Sequence, residues 1–233
     1  MKIGLFTDSH YSTVEQYGSR RPTLSYGKIQ QAMEAFSDAG ADLVICLGDL
    51  ADHCKEPEEC IEVTTRISEM IHSYGIPFYC VMGNHDGDMF TREEFRQYTG
   101  NAYPPFYELR EGKMLVFLDA NYNDDGSSYE PGKIDWTNTY IPESQIGQLK
   151  EVLAQAKEAY VFIHENLDPD VEEHHIVHNA AEVRKVLRDS GVVKKVIQGH
   201  YHWGHENTID GILYHTLPAM CEGEKNYFEI MKI

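Results

Sequence analysis

Asp42-Leu43-Val44-Ile45-Cys46-Leu47-Gly48-Asp49-Leu50-Ala51-Asp52 decides the fold. Residues 42–47 form a continuous apolar, β-prone run without polar alternation, which marks a strand buried on both faces. Gly48 then permits a tight turn or a close backbone approach. Two acids follow where that strand ends. The same grammar recurs at four other places. Residues 2–7 lead into Asp8-Ser9-His10, and residues 77–82 into Gly83-Asn84-His85-Asp86. Residues 159–163 lead into His164, and residues 193–197 into Gly199-His200-Tyr201-His202.

Further strands are expected at 114–118, 212–217 and 227–233. Helices are expected between them. Residues 25–39 place Ile29, Met33 and Phe36 on one stripe and stop at Gly40. Residues 57–74 carry Ile61, Ile67 and Ile71, with Gly75 as terminator. Residues 142–157 carry Ile146, Leu149, Val152 and Leu153. Capping boxes open helices at Thr91-Arg92-Glu93-Glu94 and, more loosely, at Asn179-Ala180-Ala181-Glu182, the latter ending near Gly191. Such alternation gives a layered α/β domain, and residues 1–233 read as one domain. Two loops, 10–23 and 121–139, are candidates for pocket walls.

The bulk numbers narrow the function. Of the 233 residues, 42% are apolar and 25% charged, as in ordinary globular proteins. A formal charge of −18 argues against nucleic-acid polymers and anionic membranes, whose affinity rests on Lys and Arg. It leaves room for a small phosphate-containing substrate, because two divalent ions add about four local positive charges. The five cysteines (Cys46, Cys54, Cys60, Cys80 and Cys221) include no Cys-x-x-Cys, which suits a reducing compartment. The first eight residues read as a strand and lack a signal peptide's apolar region, and no run approaches the ~20 residues that span a bilayer. A cytoplasmic location is expected; oligomeric state is not legible.

The five fragments offer carboxylate, imidazole and amide ligands suited to divalent metals. Asp8 and His10, two apart in extended chain, can reach one ion. The Asp49 carboxylate can bridge two ions. Asp52 is near enough in sequence to orient a histidine, and a free His85 beside the metals can donate a proton to a leaving oxygen. Each fragment alone also fits a turn or a packed histidine; the five together point to a two-metal phosphoester hydrolase.

This ordered set resembles the calcineurin-like metallophosphoesterase superfamily, whose signature runs Asp-x-His, Gly-Asp-x-x-Asp, Gly-Asn-His-Asp/Glu, His, Gly-His-x-His. Asp8 to His202 supply every element. The resemblance implies a four-layer α/β/β/α sandwich of two mixed sheets. It implies one metal on Asp8, His10, Asp49 and His202, and a second on Asp49, Asn84, His164 and His200, with Asp49 bridging. It also implies a metal-bridging hydroxide as nucleophile and His85 as general acid, positioned by Asp52 or alternatively Asp86. The ions would be Mn, Fe or Zn, with Mn favoured.

Within the superfamily, the Gly-His-Tyr-His ending is similar to that of cyclic-nucleotide and glycerophosphodiester phosphodiesterases. Residues 20–29 loosely resemble a segment of manganese-dependent ADP-ribose/CDP-alcohol pyrophosphatases, from which Pro22 and Gly27 depart. His53-Cys54 and Asp86 depart from the protein Ser/Thr phosphatase pattern. The expected activity is therefore a phosphodiesterase or nucleotide pyrophosphatase on small substrates. The alternatives are a phosphomonoesterase and a metal-bound scaffold without turnover. Arg20 and Arg21 are candidates to clamp phosphate, or are a solvated pair. Tyr122 and Trp203 could stack on a base or sugar, or pack in the core. His174, His175 and His178 lie on the pocket rim or in a solvated loop.

Overall fold

The computed structural model describes residues 1–233, the side chain of residue 57 excepted. The chain forms strands β1 Lys2–Phe6, β2 Leu43–Cys46, β3 Phe78–Cys80, β4 Tyr107–Arg110, β5 Lys113–Phe117, β6 Ala159–Phe162, β7 Val193–Gln198, β8 His205–Ile209, β9 Ile212–Thr216 and β10 Glu229–Lys232. The helices are α1 Ser25–Ala39, α2 Pro57–His72, α3 Asn84–Met89, α4 Arg92–Tyr98, α5 Glu143–Leu153 and α6 Ala180–Ser190. One sheet has the order β10-β1-β2-β3 and the other β4-β5-β6-β7-β9-β8. Both are mixed. In the first, β1, β2 and β3 run parallel and β10 antiparallel. In the second, β5, β6, β7 and β9 run parallel between the antiparallel edges β4 and β8.

The continuous apolar runs are explained by what covers each face. Ile3, Leu5, Leu43 and Ile45 point to an inner core shared with Leu115, Phe117, Phe162 and Ile197 of the second sheet. Their alternates Phe6, Val44 and Cys46 pack outward on Ile29, Met33 and Phe36 of α1 and on Ile67 and Ile71 of α2. On the far side, Val161 and Val196 pack on Ile146 and Leu149 of α5 and on Val183 and Leu187 of α6. Helices therefore cover both outer faces of two stacked sheets, and the four-layer expectation holds.

All eight expected strands form. The two missed ones, β4 and β8, are edge strands with alternately exposed residues and no continuous apolar run. The six-residue α3 was also missed; its first residue, Asn84, lies in a fragment that reads as a turn. Loop 121–139 is irregular apart from an isolated bridge between Tyr122 and Ser128. Among the described residues, no helix is long and apolar enough to cross a membrane.

Gly4 lies against the face of Phe36, and a Cβ there would come within 2.6 Å of the ring. Gly4→Ala therefore overpacks the contact between β1 and α1 and should cost about 1–3 kcal/mol, read as a lower urea midpoint. An unchanged midpoint would show that this contact is loose.

Candidate metal centre

Parallel strands deliver the five fragments to one edge of the sandwich, since each fragment sits just beyond the carboxyl end of β1, β2, β3, β6 or β7. Backbone hydrogen bonds then tie those ends together. Asp8 N–H donates to Gly48 O at 3.0 Å and His10 N–H to Asp49 O at 2.9 Å. Gly199 N–H donates to His164 O at 3.0 Å, while His200 N–H reaches across to Asp8 Oδ2 at 3.0 Å.

The turns are strained where the ligands sit. Among the described residues, seven non-glycine residues have positive φ, and four of them are Asp8, His10, Asp49 and His200. Gly48 has φ +106°, and a Cβ there would lie 2.5 Å from His164 Nδ1. A Cβ on Gly83 would collide with the Asp49 carboxylate.

The resulting side-chain geometry is that of two adjoining ligand sets. Asp8 Oδ1 lies 3.4 Å from His202 Nε2 and 3.7 Å from His10 Nε2. Asp49 Oδ2 lies 3.5 Å from His10 Nε2 and 3.4 Å from His164 Nε2, which puts it between the two sets. His164 Nε2 is also 3.2 Å from Asn84 Oδ1, and His200 joins Asp49 and His164 in a compact group. An ion about 2.1 Å from each ligand atom holds them roughly 3–3.5 Å apart at octahedral to tetrahedral angles. Asp8 Oδ1, His10 Nε2 and His200 Nε2 are buried without any hydrogen-bond partner. Buried polar atoms are seldom left so, and an ion bound among these three would partner them.

The electrostatics agree. Burial alone would raise the Asp8 pKa, yet His164, His10 and His202 hold it well below the usual carboxylate range. Asp49 is likewise lowered against its burial, chiefly by His164 and His85. Burial would lower His202, but Asp8, Cys221 and Glu222 push it up to about 12. Two buried carboxylates demand positive charge, and two divalent ions meet that demand while leaving the imidazoles neutral as ligands. Seven residues could thus hold the pair: Asp8, His10, Asp49, Asn84, His164, His200 and His202.

The ligands are oriented from behind. His10 Nδ1 bonds to Asp52 Oδ2 at 3.0 Å, His164 Nδ1 to Leu47 O at 2.7 Å, and His202 Nδ1 to Glu222 Oε1 at 2.7 Å. Each acceptor leaves Nε2 free to face an ion. Glu222 was missed by sequence reasoning, because nothing local marks a residue that acts on a histidine twenty positions earlier.

His85 stands beside the set. Its backbone N–H donates to Asp49 Oδ1 at 2.9 Å, and its Nδ1–H donates to Asp52 Oδ1 at 2.8 Å. Hydrogen bonds from His10 and His85 drive Asp52 far below its ordinary pKa despite burial, so it is a carboxylate that accepts from both rings. Asp86, the other candidate for this support, does not reach His85. Its Oδ2 accepts from Asp49 N–H at 2.8 Å and Gly83 N–H at 3.0 Å, fastening the two ligand turns together.

Of the candidates Arg20, Arg21 and Tyr122, Arg20 alone lines the cleft of about 480 Å³ over these residues. Its guanidinium is 3.2 Å from Asp52 Oδ2. Arg21 folds back onto the carbonyls of Gly18, Ser19 and Arg20 and is not in the lining. Tyr122 lies under the Arg92 guanidinium in a separate cavity of about 340 Å³. Trp203 and His175 do line the cleft, and so does Trp136, which sequence reasoning passed over.

The chain belongs to the calcineurin-like phosphoesterase family, whose model matches residues 1–204. It is accordingly a metal-dependent phosphoester hydrolase. It is 26% identical over 206 residues to a probable cyclic nucleotide phosphodiesterase of Psychrobacter arcticus, covering 83% of this chain and 67% of that protein. A second probable cyclic nucleotide phosphodiesterase, from another Psychrobacter species, is 23% identical over 78% of this chain. The chain spans about two thirds of the first relative's length and about half (53%) of the second's. In fold it is similar to a dimetal phosphatase from Danio rerio, with TM-score 0.80 and 19% identity over 98% of this chain and 91% of that one. A Thermus thermophilus protein of solved structure matches with TM-score 0.66 and 12% identity over 99% of this chain and 98% of that one.

Glu222→Ala leaves every ligand in place but frees the His202 ring. Manganese affinity, measured by calorimetry, should fall about 10–100-fold. Unchanged affinity would remove Glu222 from the site.

Proposed function

We propose that this chain is a phosphodiesterase or nucleotide pyrophosphatase acting on small phosphate-containing substrates, with residues 1–233 as one catalytic domain and manganese as the favoured metal. One observation carries the reading: His85 is anchored at Nδ1 by Asp52, so its Nε2 is left for the cleft directly beside the ligand set. Divalent ions held there supply Lewis acidity to a phosphoryl oxygen and make water a usable nucleophile near neutral pH. The protein's own groups do the rest. Asp8, His10, Asp49, Asn84, His164, His200 and His202 fix where the phosphoryl group can sit. His85 gives a proton from Nε2 to the departing alkoxide or phosphate oxygen, which matters because an unprotonated alkoxide is a poor leaving group. Asp52 holds the ring. Arg20 adds a guanidinium at the rim, suited to a second phosphate oxygen.

A diester reading is favoured by the relatives named as probable cyclic nucleotide phosphodiesterases. The test compares bis(p-nitrophenyl) phosphate with p-nitrophenyl phosphate on the manganese-loaded protein. The diester should turn over faster; a faster monoester would establish a phosphomonoesterase instead, and no turnover with both ions bound would leave a scaffold. His85→Ala should lower kcat by about 10²–10⁴ on a diester with an alkoxide leaving group, such as a 3′,5′-cyclic nucleotide, with the metal content unchanged. Loss of less than twofold would take the proton from another donor.

A further inference from the structure

The chain has two tryptophans, and both line the metal cleft with substantial exposure: Trp136 is 39% and Trp203 68% accessible. Tyr17, 72% accessible, lines it too. Large aromatic faces left in water forgo the burial that normally places tryptophan inside. Three at one cleft call for a ligand that covers them.

Trp136 is also held firmly. Its ring meets those of His174 at 5.4 Å, His175 at 5.6 Å and His200 at 5.7 Å between centroids, at steep angles. His175 packs in turn on His200 at 5.0 Å and on Tyr201 at 5.3 Å. The indole thus comes from one loop, is wedged by imidazoles from another, and stands one ring away from the metal ligand His200. A group stacked on it would share the cleft with the candidate ligands Asp49, Asn84, His200 and His202.

Resting on the phosphoesterase reading above, we infer that Trp136, with Trp203 and Tyr17 on the same walls, forms a subsite for a planar nucleobase, so that the substrate is a nucleotide ester. A quaternary ammonium also favours aromatic walls, but the surroundings disfavour a cation. Of the two carboxylates lining the cleft, Asp49 faces the histidines and Glu222 bonds His202 at 2.7 Å, while Arg20 lines the same wall. The volume of about 480 Å³ is within the range of small-ligand sites and admits a nucleoside phosphate.

The test uses the metal-loaded protein and two ligands that differ only in the base, adenosine 5′-monophosphate and ribose 5-phosphate, with phosphocholine as a third. Because both tryptophans are at the cleft, intrinsic fluorescence reports binding directly. The nucleotide should quench it saturably and bind at least about tenfold tighter than ribose 5-phosphate. Trp136→Ala should bring the two ligands within about twofold, and Trp136→Phe should restore most of the difference. Equal binding of nucleotide and sugar phosphate to the wild-type protein overturns the subsite, as does phosphocholine binding tightest of the three. If either occurs while bis(p-nitrophenyl) phosphate is still hydrolysed, only the base subsite falls. Absence of all phosphoester turnover is the separate failure of the enzymatic reading.

Discussion

Two carboxylates, Asp8 and Asp49, are buried at the ends of adjacent parallel strands, and the positive charge they require organises the rest of this edge of the molecule. Taking an unpaired carboxylate out of water is among the costliest things a fold can do. Here the cost is offset by clustering: four imidazoles and an amide converge on the two acids. The strained backbone at Asp8, His10, Asp49 and His200 follows from the same requirement, because only those turns bring ligands from both sheets to a common point.

The sandwich makes this possible. Stacking two sheets over the inner core of Leu5, Ile45, Phe162 and Ile197 aligns the carboxyl ends of β1 and β2 with those of β6 and β7. Asp86 and Leu47 O then lock the turns that carry Asp49 and His164. Asp52 spans two rings, since one oxygen bonds His10, a candidate ligand, and the other bonds His85, the proposed proton donor. In the proposed mechanism, metal affinity and proton transfer are coupled through that one carboxylate.

What could be read from the sequence is what is local. A polar fragment directly behind an apolar run announces itself, so the five fragments that meet at this edge and eight of the strands were legible. What acts across space was not. Glu222 reaches His202 only because residues 219–221 hydrogen-bond back along residues 7–8 and His202. Arg20 and Arg21 are indistinguishable as letters, yet the chain around the turn at Tyr17–Arg20 sends one into the cleft and the other back on the carbonyls of residues 18–20. Tyr122 looked like a platform but pairs with Arg92 elsewhere. Trp136 lies in a polar loop with no periodicity to show where its ring would land. The edge strands β4 and β8 lack the double burial that marks their neighbours.

In the proposed centre, Asp49 joins two ion sites built by seven residues. Anomalous diffraction at the manganese edge, from crystals grown with manganese, tests it most directly. The account predicts two peaks about 3.5–4 Å apart, one against Asp8, His10 and His202, the other against Asn84, His164 and His200, with Asp49 touching both. A single peak, or a pair that Asp49 does not bridge, would contradict it.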